Sequence, residues 1–246
     1  MGQLLSLALL LVVLGVAARL SMVPEPEPET YVRPSQEQMM ADVARAIAVL
    51  GTARGCEPFC PDEASRVRGR RVAREAMWQL DHPDRDFRDD CSGLVSAVFT
   101  AVGVPMDGVV ASIYDLAAVH GAIHFLPLPL PGDLVFFNDT HDRNGNGRWD
   151  DPLTHIALVV DVETDGTVVF AHAGLSSGRG LGRLHVGQPF VRRSAEGKEI
   201  NSYLREPARG DPPTAGYLAG ALWVGFARVD PELDWHTPPP PPESWP

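Results

Sequence analysis

The hydrophobic period of the sequence changes once along the chain, from the helical repeat of about 3.6 residues to the alternation typical of β-strands. Apolar residues recur with helical spacing over 36–50, 63–80 and 91–102. Strand-like runs follow at 133–138, 154–162, 167–173 and 222–229, each rich in β-branched or aromatic residues and bounded by Gly, Pro or Asp. Helices that precede a set of strands predict an α+β domain with an antiparallel sheet.

The second predicted helix, at 63–80, is rich in arginine. Its basic residues are Arg66, Arg68, Arg70, Arg71 and Arg74. We expect these side chains to form an exposed, solvated face, with binding to an acidic polymer as the alternative. The predicted buried face consists of Val67, Ala73, Met77 and Leu80.

Both ends of the chain differ in character from the predicted folded unit at 36–232. Residues 4–18 form an apolar run that would rise about 22 Å as a helix, less than the roughly 30 Å of a hydrocarbon core. This length favours an export signal over residues 1–20, with an uncleaved membrane anchor as the alternative. Alternating Pro and Glu within 21–35 predict an extended linker, and the proline-rich residues 233–246 predict a tail.

Charge and cysteine content restrict the classes of function. With 21 Lys and Arg against 32 Asp and Glu, the formal net charge is −11, so we expect no nucleic-acid partner. Cys56 and Cys60 flank a central proline, and in an exported protein we expect them to form a local disulfide. Two unpaired thiols or a metal-binding pair are the alternatives. The third cysteine, Cys91, is then left unpaired.

Cys91 lies in the first turn of the third predicted helix, with Asp90 as its expected N-cap. Unpaired N–H groups and the helix dipole stabilise a thiolate there, so this position favours a nucleophile. The candidate bases are His155 and His172, on consecutive predicted strands. A turn at Thr164–Asp165 pairs residues whose numbers sum to 329 and places the two histidines diagonally; a turn one residue later gives 331 and separates them further. In both registers the imidazoles share one face of the sheet.

Four short segments surround these residues in a fixed order. They are DCSGLVSAVF at 90–99, PGDLVFFN at 131–138, THIALVV at 154–160 and VFAHAG at 169–174. Together they resemble the motifs of the NlpC family of papain-like cell-wall cysteine peptidases. The resemblance implies a papain-like α+β fold with the nucleophile at a helix start, packed on an antiparallel sheet. It implies Cys91 as nucleophile, His155 as general base and His172 as the polar residue that orients the base.

The resemblance also implies a substrate and a location. The substrate would be a peptidoglycan stem peptide cleaved beside a D-amino acid, in the bacterial periplasm or cell envelope, by an enzyme without a catalytic cofactor. The core of the resemblance spans 85–175, and 176–232 forms a C-terminal extension. We expect the Cys91 thiolate to pair with protonated His155. The stretch 108–115 contains Ser112 but lacks the Arg of many family members. The alternatives are a non-catalytic wall-binding or structural module on the same fold, and a thiol acyltransferase.

A further signal lies in the loop 142–153, which matches the first half of a calcium loop. The expected ligands are Asp142, Asn144, Asn146, Arg148 through its backbone carbonyl, and Asp150. Leu153 stands where an EF-hand has its bidentate Glu, and strands flank the loop, so an EF-hand is excluded. Two alternatives remain: the loop holds a structural Ca²⁺, or these side chains bind the loop's own amides as Asx-turns.

Overall fold

A computed structural model describes residues 61–176, 178–207, 209, 211 and 215–236. The helices in this part of the chain are α1 (Glu63–Asp81), α2 (Cys91–Ala101), α3 (Val110–Val119) and the single turn α4 (Ala219–Leu222). The strands are β1 (Ile123–His124), β2 (Leu134–Phe137), β3 (His155–Val162), β4 (Val168–Leu175), β5 (Gly178–Leu184) and β6 (Trp223–Ala227). The predicted export signal, linker, helix at 36–50 and Cys56–Cys60 disulfide lie outside the described residues.

The strands form one antiparallel sheet with the spatial order β1-β6-β2-β3-β4-β5. β6 follows the other strands in the chain but lies between β1 and β2. The C-terminal extension therefore completes the sheet and also supplies β5, one of its two edge strands. Helices followed by an antiparallel sheet confirm the predicted α+β class.

The two faces of the sheet pack into separate apolar clusters. Leu134 and Phe136 of β2 face the cluster formed with the three longer helices. Val135 and Phe137 face the opposite cluster, to which the C-terminal extension contributes residues such as Leu204. Because both faces are covered, the central strands are mostly apolar on both faces instead of alternating apolar and polar residues.

α1 begins where the sequence predicts and ends one residue later. Of its predicted buried face, Ala73 is buried and Leu80 is partly buried against the core, but the other two residues are exposed. Val67 and Met77, which the pattern placed in the core, are 52% and 42% exposed. The buried residues are Val72, Ala73, Ala76 and Gln79. A Cβ added at Gly69 would lie 2.0 Å from the carbonyl oxygen of Pro131. Small residues on this side let the helix backbone approach the rest of the domain closely, and Val67 and Met77 stay outside.

The β3–β4 hairpin has the predicted 329 register near the histidines. Leu158 pairs with Ala171, so His172 lies on the same face as His155 and diagonal to it. This confirms the closer of the two expected arrangements.

The tip of the same hairpin differs from the expected turn. The N–H of Gly166 donates to the Glu163 carbonyl at 3.0 Å, and the N–H of Glu163 donates to the Thr167 carbonyl at 2.9 Å. This pairing is shifted by one residue from the predicted one. A β-bulge between Val159 and Asp161 takes up the extra residue and restores the 329 register towards the histidines.

The folded part of the chain extends beyond the predicted boundary at 232. Trp235 is 1% exposed, and its indole N–H donates to the Asp230 carbonyl oxygen at 2.7 Å. Its ring centroid lies 5.1 Å from that of His120 at the end of α3. The predicted tail at 233–246 therefore begins too early, and its residues beyond 236 lie outside the described part. No helix within the described residues is both long enough and apolar enough to cross a membrane.

Candidate active site

The first turn of α2 is fixed from two sides. Asp90 is its N-cap, as predicted, and Oδ1 accepts from the Gly93 N–H at 2.7 Å and from the Ser92 hydroxyl at 2.9 Å. The Arg88 guanidinium donates to Ser92 Oγ at 3.0 Å and to Asp90 Oδ2 at 3.1 Å. The Arg88 carbonyl oxygen packs so tightly that a Cβ at Gly93 would lie 1.9 Å from it. Cys91, the first residue of the helix, is held by this network.

The Cys91 thiol lies against the beginning of β3. The nearby backbone N–H of Ile156 lowers the pKa of the thiol, and a Cβ at Gly174 of β4 would lie 3.1 Å from the Cys91 nitrogen. Burial raises the pKa of the Cys91 thiol, and the Asp90 carboxylate raises it further, which outweighs the effect of the N–H donors. The structure therefore favours a neutral thiol, in contrast to the thiolate expected from the helix start.

The two candidate histidines face each other in the interior. Their ring centroids are 5.6 Å apart with an interplanar angle of 76°. His155 is 1% exposed and His172 is 5% exposed. Burial, followed by the neighbouring His172 and His141, lowers the pKa of His155 to about 3. Burial lowers the pKa of His172 to about 4. Both rings are therefore neutral at pH 7, so the expected imidazolium at His155 is not favoured.

Two ring nitrogens of this pair lack a hydrogen-bond partner in the described part of the chain. They are Nε2 of His155 and Nδ1 of His172, and both are buried. A direct hydrogen bond from Cys91 to either imidazole is not among the contacts of the described residues. The fold thus brings Cys91 next to the chain neighbour of His155, and brings the two imidazoles into ring contact. Among the described residues, Cys91 packs with the cluster on the helix side, whereas the imidazoles contact Phe137 and Phe170 of the opposite cluster. A neutral thiol can attack an acyl carbon when a neutral imidazole within reach accepts its proton.

Arg179 links the C-terminal extension to the loop before Cys91, a role that the sequence did not predict. From β5, its guanidinium donates to Asp89 Oδ1 at 2.9 and 2.6 Å and to the Gln79 carbonyl at 3.4 Å. Acidic residues are so common along the chain that the sequence alone does not show that Arg179 pairs with Asp89. The contact joins β5, α1 and the segment that leads into α2.

The loop at 142–153 adopts the Asx-turn arrangement. Asp142 Oδ1 accepts from the Gly145 N–H at 2.7 Å, and Asp142 Oδ2 accepts from the Gly147 N–H at 2.8 Å. Asn144 Oδ1 and Asn146 Oδ1 each accept an N–H two residues further on, at 2.9 and 2.7 Å. Asp150 accepts from the Asn146 amide at 3.2 Å. No group of three or more His, Cys, Asp or Glu side chains in the described residues is arranged to hold a metal ion. Calcium binding stays a prediction.

A scan against protein-family models, a search of curated proteins and a search of solved structures each found no match to this chain.

Proposed function

We propose that the protein is an exported, papain-like cysteine hydrolase that cleaves peptide or amide bonds in peptidoglycan stem peptides. The observation that carries this proposal is the position of Cys91, at the start of a capped helix and against the strand that begins with His155. The diagonal contact between His155 and His172 supports it, because a general base in such sites is oriented by a third polar group. The four NlpC-like segments supply the substrate class and the bacterial envelope location.

The proposed mechanism starts from neutral groups. The Cys91 sulfur attacks the acyl carbon while the thiol proton passes to His155, so that the S–C bond and an imidazolium form together. The imidazolium then gives this proton to the leaving amine as the C–N bond breaks. Water hydrolyses the resulting thioester, with His155 again acting as the base. His172 orients the ring of His155.

The second candidate function is a non-catalytic wall-binding module. The burial of His155 favours it, as does the lack of a direct hydrogen bond between Cys91 and an imidazole among the described residues. An acyltransferase would use the same first step and would differ only in the nucleophile that accepts the acyl group.

The test is mass spectrometry of cell-wall fragments after digestion by the wild type and three variants. Cys91→Ala and His155→Ala are each expected to reduce fragment release by at least about 1,000-fold, because each removes a group that reacts directly. His172→Ala is expected to cost less, because water or a neighbouring group can partly replace an orienting residue. A thiol-directed activity probe should label the wild type at residue 91 and should not label Cys91→Ala there.

Two results would reject the enzyme proposal or revise it. Wall-fragment release by Cys91→Ala at the wild-type rate would exclude a cysteine hydrolase and leave the binding module. A larger loss in His172→Ala than in His155→Ala would exchange the roles of the two histidines. Thermal melting of each variant separates a loss of chemistry from a loss of folding.

A further inference from the structure

The solvent-facing side of α1 combines positive charge with exposed apolar side chains. We call it the α1 basic surface, and it consists of Arg66, Val67, Arg70, Arg71, Arg74, Met77 and Trp78. At 3.6 residues per turn these residues lie within an arc of about 140° on one side of the helix. The buried residues of α1 occupy the opposite side. The positive and apolar side chains therefore lie together on one continuous surface.

Two acidic residues of α1, Glu63 and Asp81, lie within the same arc, where the four arginines outnumber them. Arg70 pairs with Glu63 at 3.1 Å. Arg66, Arg71 and Arg74 form no ion pair with described residues. The whole chain carries a formal net charge of −11, so the positive surface contrasts in sign with the rest of the molecule. Such a separation of charge turns one side of a protein towards a negatively charged partner.

The apolar residues on the same surface narrow the chemistry of that partner. Val67, Met77 and Trp78 are 52%, 42% and 57% exposed. The Trp78 ring stacks on His82, with 3.6 Å between centroids and an interplanar angle of 8°, which holds the indole in one orientation. A soluble polyanion gains little from valine and methionine side chains. The boundary between lipid headgroups and acyl chains accommodates both the arginines and the apolar groups.

We propose that the α1 basic surface docks onto the anionic phospholipid surface of a membrane. The arginines contact lipid phosphates, and Val67, Met77 and Trp78 enter the boundary of the acyl chains. The helix lies parallel to the bilayer and does not cross it. This contact goes beyond the proposed hydrolase activity and is separate from any anchor at residues 1–20. It would hold the folded domain against the membrane by a salt-sensitive attraction.

The experiment measures cosedimentation of the full chain with lipid vesicles. One set is phosphatidylcholine alone, and the other contains about 30% phosphatidylglycerol to provide anionic charge. The wild type is expected to bind the anionic vesicles more tightly, and the difference should disappear at about 1 M salt. Arg66→Gln/Arg74→Gln is expected to weaken binding to anionic vesicles by about 30-fold, at roughly fivefold per charge. An N-terminal anchor would bind both vesicle types equally, and the α1 variants would not alter that binding.

Two further variants test the alternatives to membrane binding by α1. The first tests whether total charge alone explains the binding, and the second tests whether the partner is an anionic polymer. Arg192→Gln/Arg193→Gln makes the same charge change outside α1 and is expected to leave vesicle binding unchanged. Met77→Ser/Trp78→Ser is expected to weaken vesicle binding by about tenfold without changing binding to soluble polyphosphate. Circular dichroism confirms that these surface variants remain folded.

Three outcomes would overturn the proposal. The first is equal binding of the wild type to neutral and anionic vesicles. The second is an equal loss in the Arg192/Arg193 control. The third is vesicle binding that Met77→Ser/Trp78→Ser leaves intact while polyphosphate binds as tightly as the vesicles, which would identify an anionic polymer as the partner.

Discussion

Mild acid should destabilise this protein through the facing imidazoles of His155 and His172. Their pKa values are lowered from 6.5 to about 3 and about 4, chiefly by burial. A group whose pKa is lower in the folded state binds protons preferentially in the unfolded chain. Its contribution to the free energy of unfolding is complete above pH 6.5 and is lost as the pH falls from 6.5 towards the folded value.

The size of the effect follows from the width of this window. At pH 5 both rings are still neutral in the folded protein, whereas each imidazole is protonated in most of the unfolded chains. At about 1.4 kcal/mol per pH unit, each histidine then costs about 2 kcal/mol relative to pH 8. Because His172 contributes to the low pKa of His155, the two are coupled, and about 4 kcal/mol is the upper limit for the pair.

Urea unfolding at pH 8 and pH 5 measures this loss. His172→Asn keeps a polar side chain but cannot titrate, so its loss between the two pH values should be about 2 kcal/mol smaller than that of the wild type. His236→Asn, at an exposed position, is the matched control and should behave as the wild type. The buried carboxylate of Asp133 does not contribute to this loss. Burial raises its pKa, but hydrogen bonds from His124 and Arg228 lower it more, so the pKa stays below 3.8. The loss from this carboxylate therefore begins only below the measured range. An identical pH dependence in the wild type and His172→Asn would refute a buried, neutral His172.

Three other expectations follow from the structure. The rate at which iodoacetamide alkylates Cys91 should still be rising above pH 9, and a plateau by pH 7 would contradict a neutral thiol. Asp90→Asn should shift this rise to lower pH, because it keeps the helix cap but removes the charge that raises the thiol pKa. Trp235→Ala should lower the free energy of unfolding by about 3–5 kcal/mol, measured by urea unfolding, and a loss below about 1 kcal/mol would place residues 233–236 outside the fold. Millimolar Ca²⁺ should raise the melting temperature relative to excess chelator if the Asp142 loop binds the ion, whereas equal melting curves would leave its Asx-turns as the complete explanation.

Local patterns predicted the elements that carry the candidate site. Asp90 before a run of apolar residues predicted the start of α2, because capping depends on residues within one turn. The parity of strand positions placed His155 and His172 on one face whichever turn was used. The predicted turn at the tip of the hairpin was wrong, because a strand with a bulge and a strand without one have the same apolar pattern.

The remaining differences depend on contacts between distant parts of the chain. β5 is glycine-rich and has little strand propensity, yet a Cβ at Gly182 would lie 2.3 Å from the Phe170 ring. That strand is selected by its fit against β4 and not by its own preference. The protonation state of Cys91 also escaped prediction. The helix start is visible in the sequence, whereas the burial that outweighs it is created by β3 and β4.

The bulge in β3 has a consequence for how this sequence can diverge. An insertion or deletion of one residue near the hairpin tip can be taken up by forming, moving or removing the bulge between Val159 and Asp161. A change of length at the tip would break the half-exposed ion pair between Lys198 and Asp165. Losing this pair lowers the free energy of unfolding by at most about 1 kcal/mol. Relatives with hairpin tips of different length can therefore keep both imidazoles on the same face of the sheet. An alignment that assumed a constant spacing between the two histidines would miss such relatives.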